Sequence, residues 1–433
     1  MQVTKQKSTG AHFTPAGLAR LVAERVAALM DDLRGPIRVL DPACGDGNLL
    51  CAINDALRND MRRRVTLIGI ENDDGSFASL QARQPKFGRC RTDLIKGDFL
   101  EFFNGGDLFG ATEAIAPVDV VIANPPYVRT QVLGAKRAQQ LAARFGLSGR
   151  VDLYQAFLVA MAKQLRPGGI LGVISSNRFL TTRGGVAIRR FLRTRFDLSE
   201  IIDLGDTKLF DAAVLPALIF AVKRSDSGEA SGRAEPSFIR IYEGSNDGND
   251  EAEHVSSVLD CLRNPQSRVV RVNGSTYRIA AGRLPIPQDD AKPWTLLSGS
   301  ESEWVAMIDA ASRSRIGELA KVRVGIKTTA DSVFIRRDWI SLPTPIRPEC
   351  RHLRPLLSQE DSAKWRPSES AIPQRQVLYT HEVVDGRRRV IRFDERSSTW
   401  KYLLKNKDKL SSRAYVVDAG RAWYEIWVPQ DPS

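Results

Sequence analysis

The chain has 433 residues, with 63 Lys and Arg against 51 Asp and Glu, a formal net charge of +12 and a pI near 9.6. That length is enough for two substantial cores, and the basic balance suits an acidic polymer as partner. Five cysteines and four histidines without paired metal-ligand spacing argue against a zinc site or a disulfide scaffold, so no metal is expected. The absence of an apolar signal region or a long uncharged stretch argues against membrane association and for a cytoplasmic location.

In chain order, Thr14 and Pro15 read as an N-cap and first-turn pair, after which Leu18, Leu21, Val22, Val26 and Leu29 recur at helical spacing. Residues 37–50 open with a short apolar strand that runs into a glycine loop. A helix from about Asn48 to Leu57 follows, which together make the first βα turn of a doubly wound sheet. Gly45 and Gly47 let the backbone approach a ligand, and the helix start favours an anionic group such as a carboxylate. The spacing is not G-x-G-x-x-G, which disfavours a dinucleotide.

Residues 65–71 read as the next strand and end on Glu71, about where such folds hydrogen-bond a ribose diol. Asp98 follows another short apolar segment, and its carboxylate can accept from an adenine amine while Phe99 stacks on the ring. Residues 118–123 read as a buried parallel strand, followed directly by Asn124, Pro125, Pro126 and Tyr127. Two prolines stiffen the loop and remove two N–H donors, Asn124 adds a side-chain acceptor, and Tyr127 adds a flat aromatic face. That combination suits a planar substrate with an exocyclic amine, and adenine fits it.

Beyond the loop, residues 151–165 read as a helix and 169–175 as a strand. Residues 198–203 and 217–222 close the sheet, and 238–242 read as one more edge strand. The acidic, glycine-containing stretch at 243–253 reads as a linker, which predicts domains at 1–245 and 246–433. From residue 313 onward there are 24 Lys and Arg against 15 Asp and Glu, a net of +9, interleaved with aromatics as in Trp400, Lys401 and Tyr402. Residues 423–428 read as a strand-like apolar run near the end.

The order of these motifs resembles the gamma-class adenine-N6 DNA methyltransferases of the TaqI methylase type. The similarity covers residues 9–15, 41–50, 71, 97–100, 124–127 and 152–180, and more weakly 324–334. The resemblance implies an α/β, Rossmann-like class I methyltransferase fold, mostly parallel with an antiparallel edge strand, followed by a mixed α+β DNA-recognition domain. It implies S-adenosylmethionine as cofactor, with Thr14 at the methionine part and Asp41, Ala43 and Gly45 as the wall beneath it. By the same resemblance Glu71 is the ribose ligand and Asp98 with Phe99 is the adenine clamp. Asn124, Pro125, Pro126 and Tyr127 become the catalytic loop, and Phe210, with two extra residues before it, stacks on the other face of a flipped base. Asp46 departs from the small polar residue usual in the family. Family members usually carry more recognition domain after such a C-terminal segment, so a truncated chain is expected.

The expected activity is adenine-specific, site-specific methylation of duplex DNA in a restriction-modification or phage-defence system. The chain is favoured as a monomer, with room for a separately encoded restriction endonuclease. Three alternatives stay open on residues alone. An RNA adenine methyltransferase would use the same stacking and amine contacts. A protein-glutamine methyltransferase shares the Asn-Pro-Pro-Tyr loop, and a catalytically silent DNA-binding subunit would share the basic balance.

Overall fold

The computed structural model describes residues 14–88, 90–103, 115–128, 134–147, 151–207, 215–225, 234–244, 252–263, 265–297, 299–358, 361–363, 366–367 and 375–430. The chain divides into two compact units, Met1–Ala311 and Ser312–Ser433.

The first unit is built on one eleven-stranded sheet. Its strands are β1 Ile37–Asp41, β2 Val65–Glu71, β3 Arg91–Lys96, β4 Val118–Ala123, β5 Leu165–Ser176, β6 Phe196–Asp203, β7 Pro216–Lys223, β8 Ser237–Glu243, β9 Glu253–His254, β10 Arg268–Val272 and β11 Ser275–Arg283. They lie in the order β3-β2-β1-β4-β5-β7-β6-β8-β11-β10-β9. Strands β1 to β5 pair in parallel, whereas β7 runs antiparallel between β5 and β6. This is the Rossmann-like class I methyltransferase arrangement, extended by four strands.

Alternation along the central strands separates two cores. Val39, Val120 and Ile122 face helices α1 (Ala16–Leu29) and α2 (Asn48–Ala56), which contribute Leu18, Val22, Val26, Leu50 and Ile53. Leu40, Val121 and Ala123 face the other side, where α4 (Leu153–Gln164) and α5 (Val186–Arg195) follow α3 (Asp74–Arg83) in the chain and supply Phe157, Met161, Ile188 and Leu192. A sheet covered on both faces needs apolar residues at consecutive positions, which is why residues 118–123 lack the alternation of a half-exposed strand. Because β1, β2 and β4 are parallel, their C-terminal ends and following loops gather at one edge, where such folds bind ligands.

Four expectations change, three of them in the first unit and at its boundary. Pro15, not Thr14, is the N-cap of α1, and no side chain caps that helix. Residues 238–242 are not an edge strand, because β8 pairs with β6 on one side and β11 on the other. The division falls at 311/312 rather than 245/246: the acidic stretch lies in the chain between β8 and β9, two strands of one sheet, and residues 252–297 belong to the first unit. Trp294 is buried there against Phe179, with ring centroids 6.0 Å apart. Buried Arg189 of α5 donates to the carbonyls of Phe179, Thr182, Asp290 and Ala291.

The second unit has its own core of Phe334, Trp339, Leu378, Tyr402, Leu403 and Ile426. A three-stranded antiparallel sheet and the Ser397-capped helix Ser398–Lys405 surround it. The run at 423–428 is not a strand. It makes one isolated bridge, Lys327 to Val428, and its rings pack instead, Trp423 and Tyr424 against Trp400. No helix among the described residues is long and apolar enough to cross a membrane.

A fragment of residues 1–311 should therefore unfold in one cooperative thermal transition. A fragment of residues 1–245 should lose that transition, since it strips β11 from β8 and the Asp290 to Trp294 segment from α5. Circular dichroism melts of the two fragments check this.

Candidate active site

The glycine loop after β1 is held by β2. Gly45 N–H donates to Glu71 Oε2 at 2.8 Å, and Asp73 N–H donates to Oε1 of the same carboxylate at 2.6 Å. Cys44 N–H donates to the Ile70 carbonyl at 3.0 Å, so the loop is pinned along the end of the neighbouring strand. Gly47 caps α2 with φ of 84°, and a Cβ there would meet Leu80 Cδ1 at 2.6 Å, so the turn requires glycine.

The loop after β4 begins at Asn124. Its Nδ2 donates to Thr14 Oγ1 at 3.1 Å, and the Tyr127 hydroxyl donates to its Oδ1 at 2.9 Å. Leu153 N–H donates to the Val128 carbonyl at 3.0 Å and ties the end of the loop to the start of α4. Thr14, freed from capping a helix, thus meets the asparagine across 110 residues of sequence. Thr14, Asp41, Ala43, Gly45 and Asn124 line one cleft, together with Cys44, Asp46, Asn48 and Leu49.

Glu71 reaches the cleft through Gly45. At the neighbouring strand end, Gly97 N–H donates to the Glu71 carbonyl at 3.0 Å and Asp98 Oδ1 accepts from Leu100 N–H at 3.0 Å. Phe99 is 1% exposed, and its ring centroid lies 5.9 Å from that of Phe157, so the face it turns to the core is already committed. Pro125 is buried, whereas Pro126 and Tyr127 are half-buried. Phe210 lies outside the described residues, as do residues 9–13.

Several contributors gave no signal in the sequence because their partners are distant. Arg83 of α3 pairs with Asp46 at 2.8 Å and also donates to Asn48 Oδ1, while Asn48 Nδ2 donates to the Thr14 carbonyl at 3.1 Å. Asp46, unusual for the expected pattern, is thereby accounted for as the partner of Arg83. At the ends of β5 and β6, Asp203 accepts from Asn177 at 3.0 Å, from Tyr242 at 2.9 Å and from Gly205 N–H at 3.1 Å. Gly205 has φ of 50°, and a Cβ there would meet the Ile241 carbonyl oxygen at 2.2 Å.

The cleft is electrostatically acidic. Burial pushes the Asp41 carboxyl up to about 8; the hydrogen bond from Ala43 N–H opposes this, and the charges of Glu71 and Asp46 add to it. Burial also pushes the Tyr127 hydroxyl upward, which keeps it a neutral donor to Asn124.

The model of the Eco57I restriction-modification methylase family matches residues 81–210. The type II methyltransferase M.BanIII of Aneurinibacillus aneurinilyticus is 41% identical over 99% of this chain and 75% of its own length. The chain belongs to the type II restriction-modification DNA methyltransferases. The type II methyltransferase M.PaeR7I of Pseudomonas aeruginosa is 24% identical to this methyltransferase over 83% of the chain, which spans 62% of that relative's length. The solved structure of the type IIG restriction endonuclease BpuSI aligns with 93% of the methyltransferase and 46% of its own chain at 16% identity and a TM-score of 0.48.

The methyl donor is S-adenosylmethionine. The cleft fits it on electrostatic grounds: the methionine end of the donor carries a sulfonium and an ammonium against one carboxylate, a net positive charge. Asp41, disfavoured as an anion in an acidic surrounding, gains a counter-ion when a cation enters. Thr14, Asp41, Ala43 and Gly45 are the residues that would hold that end.

The raised Asp41 value predicts a pH dependence. Stability contributed by neutral Asp41 is fully present below about pH 4 and is lost as pH rises through about 8. In cofactor-free protein, the stability of Asp41→Asn relative to wild type should therefore rise between pH 5 and 9. Thermal melts across that range check it, and a pH-independent difference would contradict the burial argument.

Proposed function

We propose that this methyltransferase methylates N6 of an adenine turned out of duplex DNA, and that Asn124, Pro125 and Tyr127 hold the base. The observation that carries the reading is the orientation of Asn124. Its carboxamide stands at the C-terminal end of β4, fixed by Thr14 and Tyr127, in the cleft it shares with the glycine loop.

S-adenosylmethionine supplies an electrophilic methyl group, so the protein's task is to prepare the acceptor nitrogen. The lone pair of an adenine amine is delocalised into the ring. Accepting both amine hydrogens, on Asn124 Oδ1 and the Pro125 carbonyl, favours a tetrahedral nitrogen with its lone pair exposed. Oδ1 already accepts from Tyr127, and a carbonyl oxygen has a second lone pair for the amine. This is orientation and electrostatic stabilisation; Tyr127, held neutral, is no base, and the proton of the methylated amine leaves to water.

Flipping the base costs a few kcal/mol, which stacking on Tyr127 and, on the other face, Phe210 would offset in part. Glu71 is assigned to the ribose diol and Asp98 with Phe99 to the cofactor's adenine. The second unit, net +9 from residue 313, is assigned to DNA recognition. Family membership favours DNA over RNA or a protein glutamine as substrate, and the hydrogen-bonded Asn124 loop argues against a silent subunit. A separately encoded endonuclease is the partner such a methyltransferase would protect against.

Asn124→Ala should lower kcat by at least 100-fold, as loss of one positioned transition-state contact does, with a far smaller change in S-adenosylmethionine affinity. Tritium transfer beside calorimetry checks this, and turnover near wild type would contradict the assignment. Glu71→Ala should do the reverse to affinity, weakening cofactor binding by about 10- to 100-fold through loss of a charged acceptor worth about 1.5–3 kcal/mol. Calorimetry reads that change directly.

A further inference from the structure

We propose that the β-ribbon formed by His381–Val384 and Arg387–Val390 enters the major groove of duplex DNA, where Arg387 and Arg389 read guanine edges. This rests on the assignment of the second unit to DNA recognition.

The ribbon is a two-stranded sheet of its own, closed by a two-residue turn in which Asp385 and Gly386 have φ of 52° and 69°. Such a turn matches the right-handed twist of the strands and makes a stiff hairpin. Four residue pairs span about 13 Å at 3.3 Å per residue, and the major groove, about 12 Å wide, admits a two-stranded ribbon.

Its two faces differ. Register places Glu382 opposite Arg389 and Val384 opposite Arg387, so these four share one face, while His381, Val383, Arg388 and Val390 share the other. The second face is anchored: Arg388 donates to the Pro429 carbonyl, and buried His381 lies 3.7 Å from the Glu425 carboxylate. Just before the ribbon, the Tyr379 hydroxyl donates to the Gln430 carbonyl. The first face carries exposed Arg387 and Arg389, neither with a carboxylate or carbonyl partner among the described residues.

A run of arginines is ordinarily a solvated surface. Here one face of the ribbon is tied back through Arg388 and His381, and the other combines two exposed guanidinium forks with a carboxylate and an aliphatic side chain. Those are the groups that match guanine O6 and N7, the cytosine amine and the thymine methyl. Residues two apart on one face of a strand are about 6.8 Å apart, close to two base-pair steps. At the ribbon's foot, Arg351, Arg354 and Arg392 line a cleft together with Phe393 and the carboxylates of Glu382 and Asp394.

The test uses the full chain. Binding to duplex DNA is measured by anisotropy across a salt series, and methylated sites are mapped, for wild type, Arg387→Gln/Arg389→Gln and Arg387→Lys/Arg389→Lys. Arg63→Gln/Arg278→Gln, which removes the same charge from the first unit, is the control. The glutamine pair should lose about 10- to 100-fold of site discrimination per arginine, with the control unchanged. The lysine pair should keep the salt dependence and lose the discrimination, because an ammonium cannot make the forked contact. Thermal melts exclude a folding defect as the cause.

Wild-type site preference retained in both ribbon variants overturns the ribbon reading while wild-type methylation leaves the proposed function standing. Site preference retained by the lysine pair alone overturns guanine reading. A wild-type chain that neither binds nor methylates duplex DNA would overturn the proposed function itself.

Discussion

The proposed chemistry depends on the orientation of one carboxamide. Asn124 can grip an amine only if its oxygen faces the cleft, and a free asparagine side chain rotates. A relay of hydrogen bonds removes that freedom. Arg83, paired with Asp46, orients Asn48; Asn48 holds the Thr14 backbone; Thr14 accepts from Asn124 Nδ2; and Tyr127 donates to the remaining oxygen. The relay runs from a helix after β2 to a loop after β4, and it passes through the glycine loop where the cofactor would sit. On the proposed assignment, the cofactor cleft and the loop that grips the acceptor share one network of hydrogen bonds.

The charges are distributed to match two ligands of opposite sign. Asp41, Asp46 and Glu71 gather at the ends of β1 and β2, and Asp41 is too deeply buried to ionise readily without a cation beside it. Basic residues instead accumulate in the second unit, where a polyanion is expected. A uniformly basic surface would weaken the cleft's preference for a cationic donor, a conflict that the proposed assignment of DNA recognition to the second unit avoids.

Most of the catalytic half was legible in the sequence because its signals are local. The apolar run ending at Asn124, the glycine loop and the helix face at Leu18, Leu21, Val22 and Val26 each encode their own element. What escaped depends on distant pairing. The resemblance placed Thr14 at the cofactor but gave no sign of its bond to Asn124, and nothing near Arg83 announces Asp46. The acidic stretch at 243–253 has the composition of an interdomain linker, but composition alone cannot separate a linker from a loop between two strands of one sheet. Residues 423–428 look strand-like, yet Trp423 and Tyr424 spend their apolar surface on Trp400 and leave only a single bridge at Val428.

The most direct test of the central claim is the identity of the methylated nucleoside. Duplex DNA treated with the full chain and methyl-labelled S-adenosylmethionine, digested to nucleosides and separated by chromatography with mass detection, should carry its label in N6-methyladenine. Label in a cytosine derivative, or label confined to RNA or protein in parallel reactions, would contradict the account.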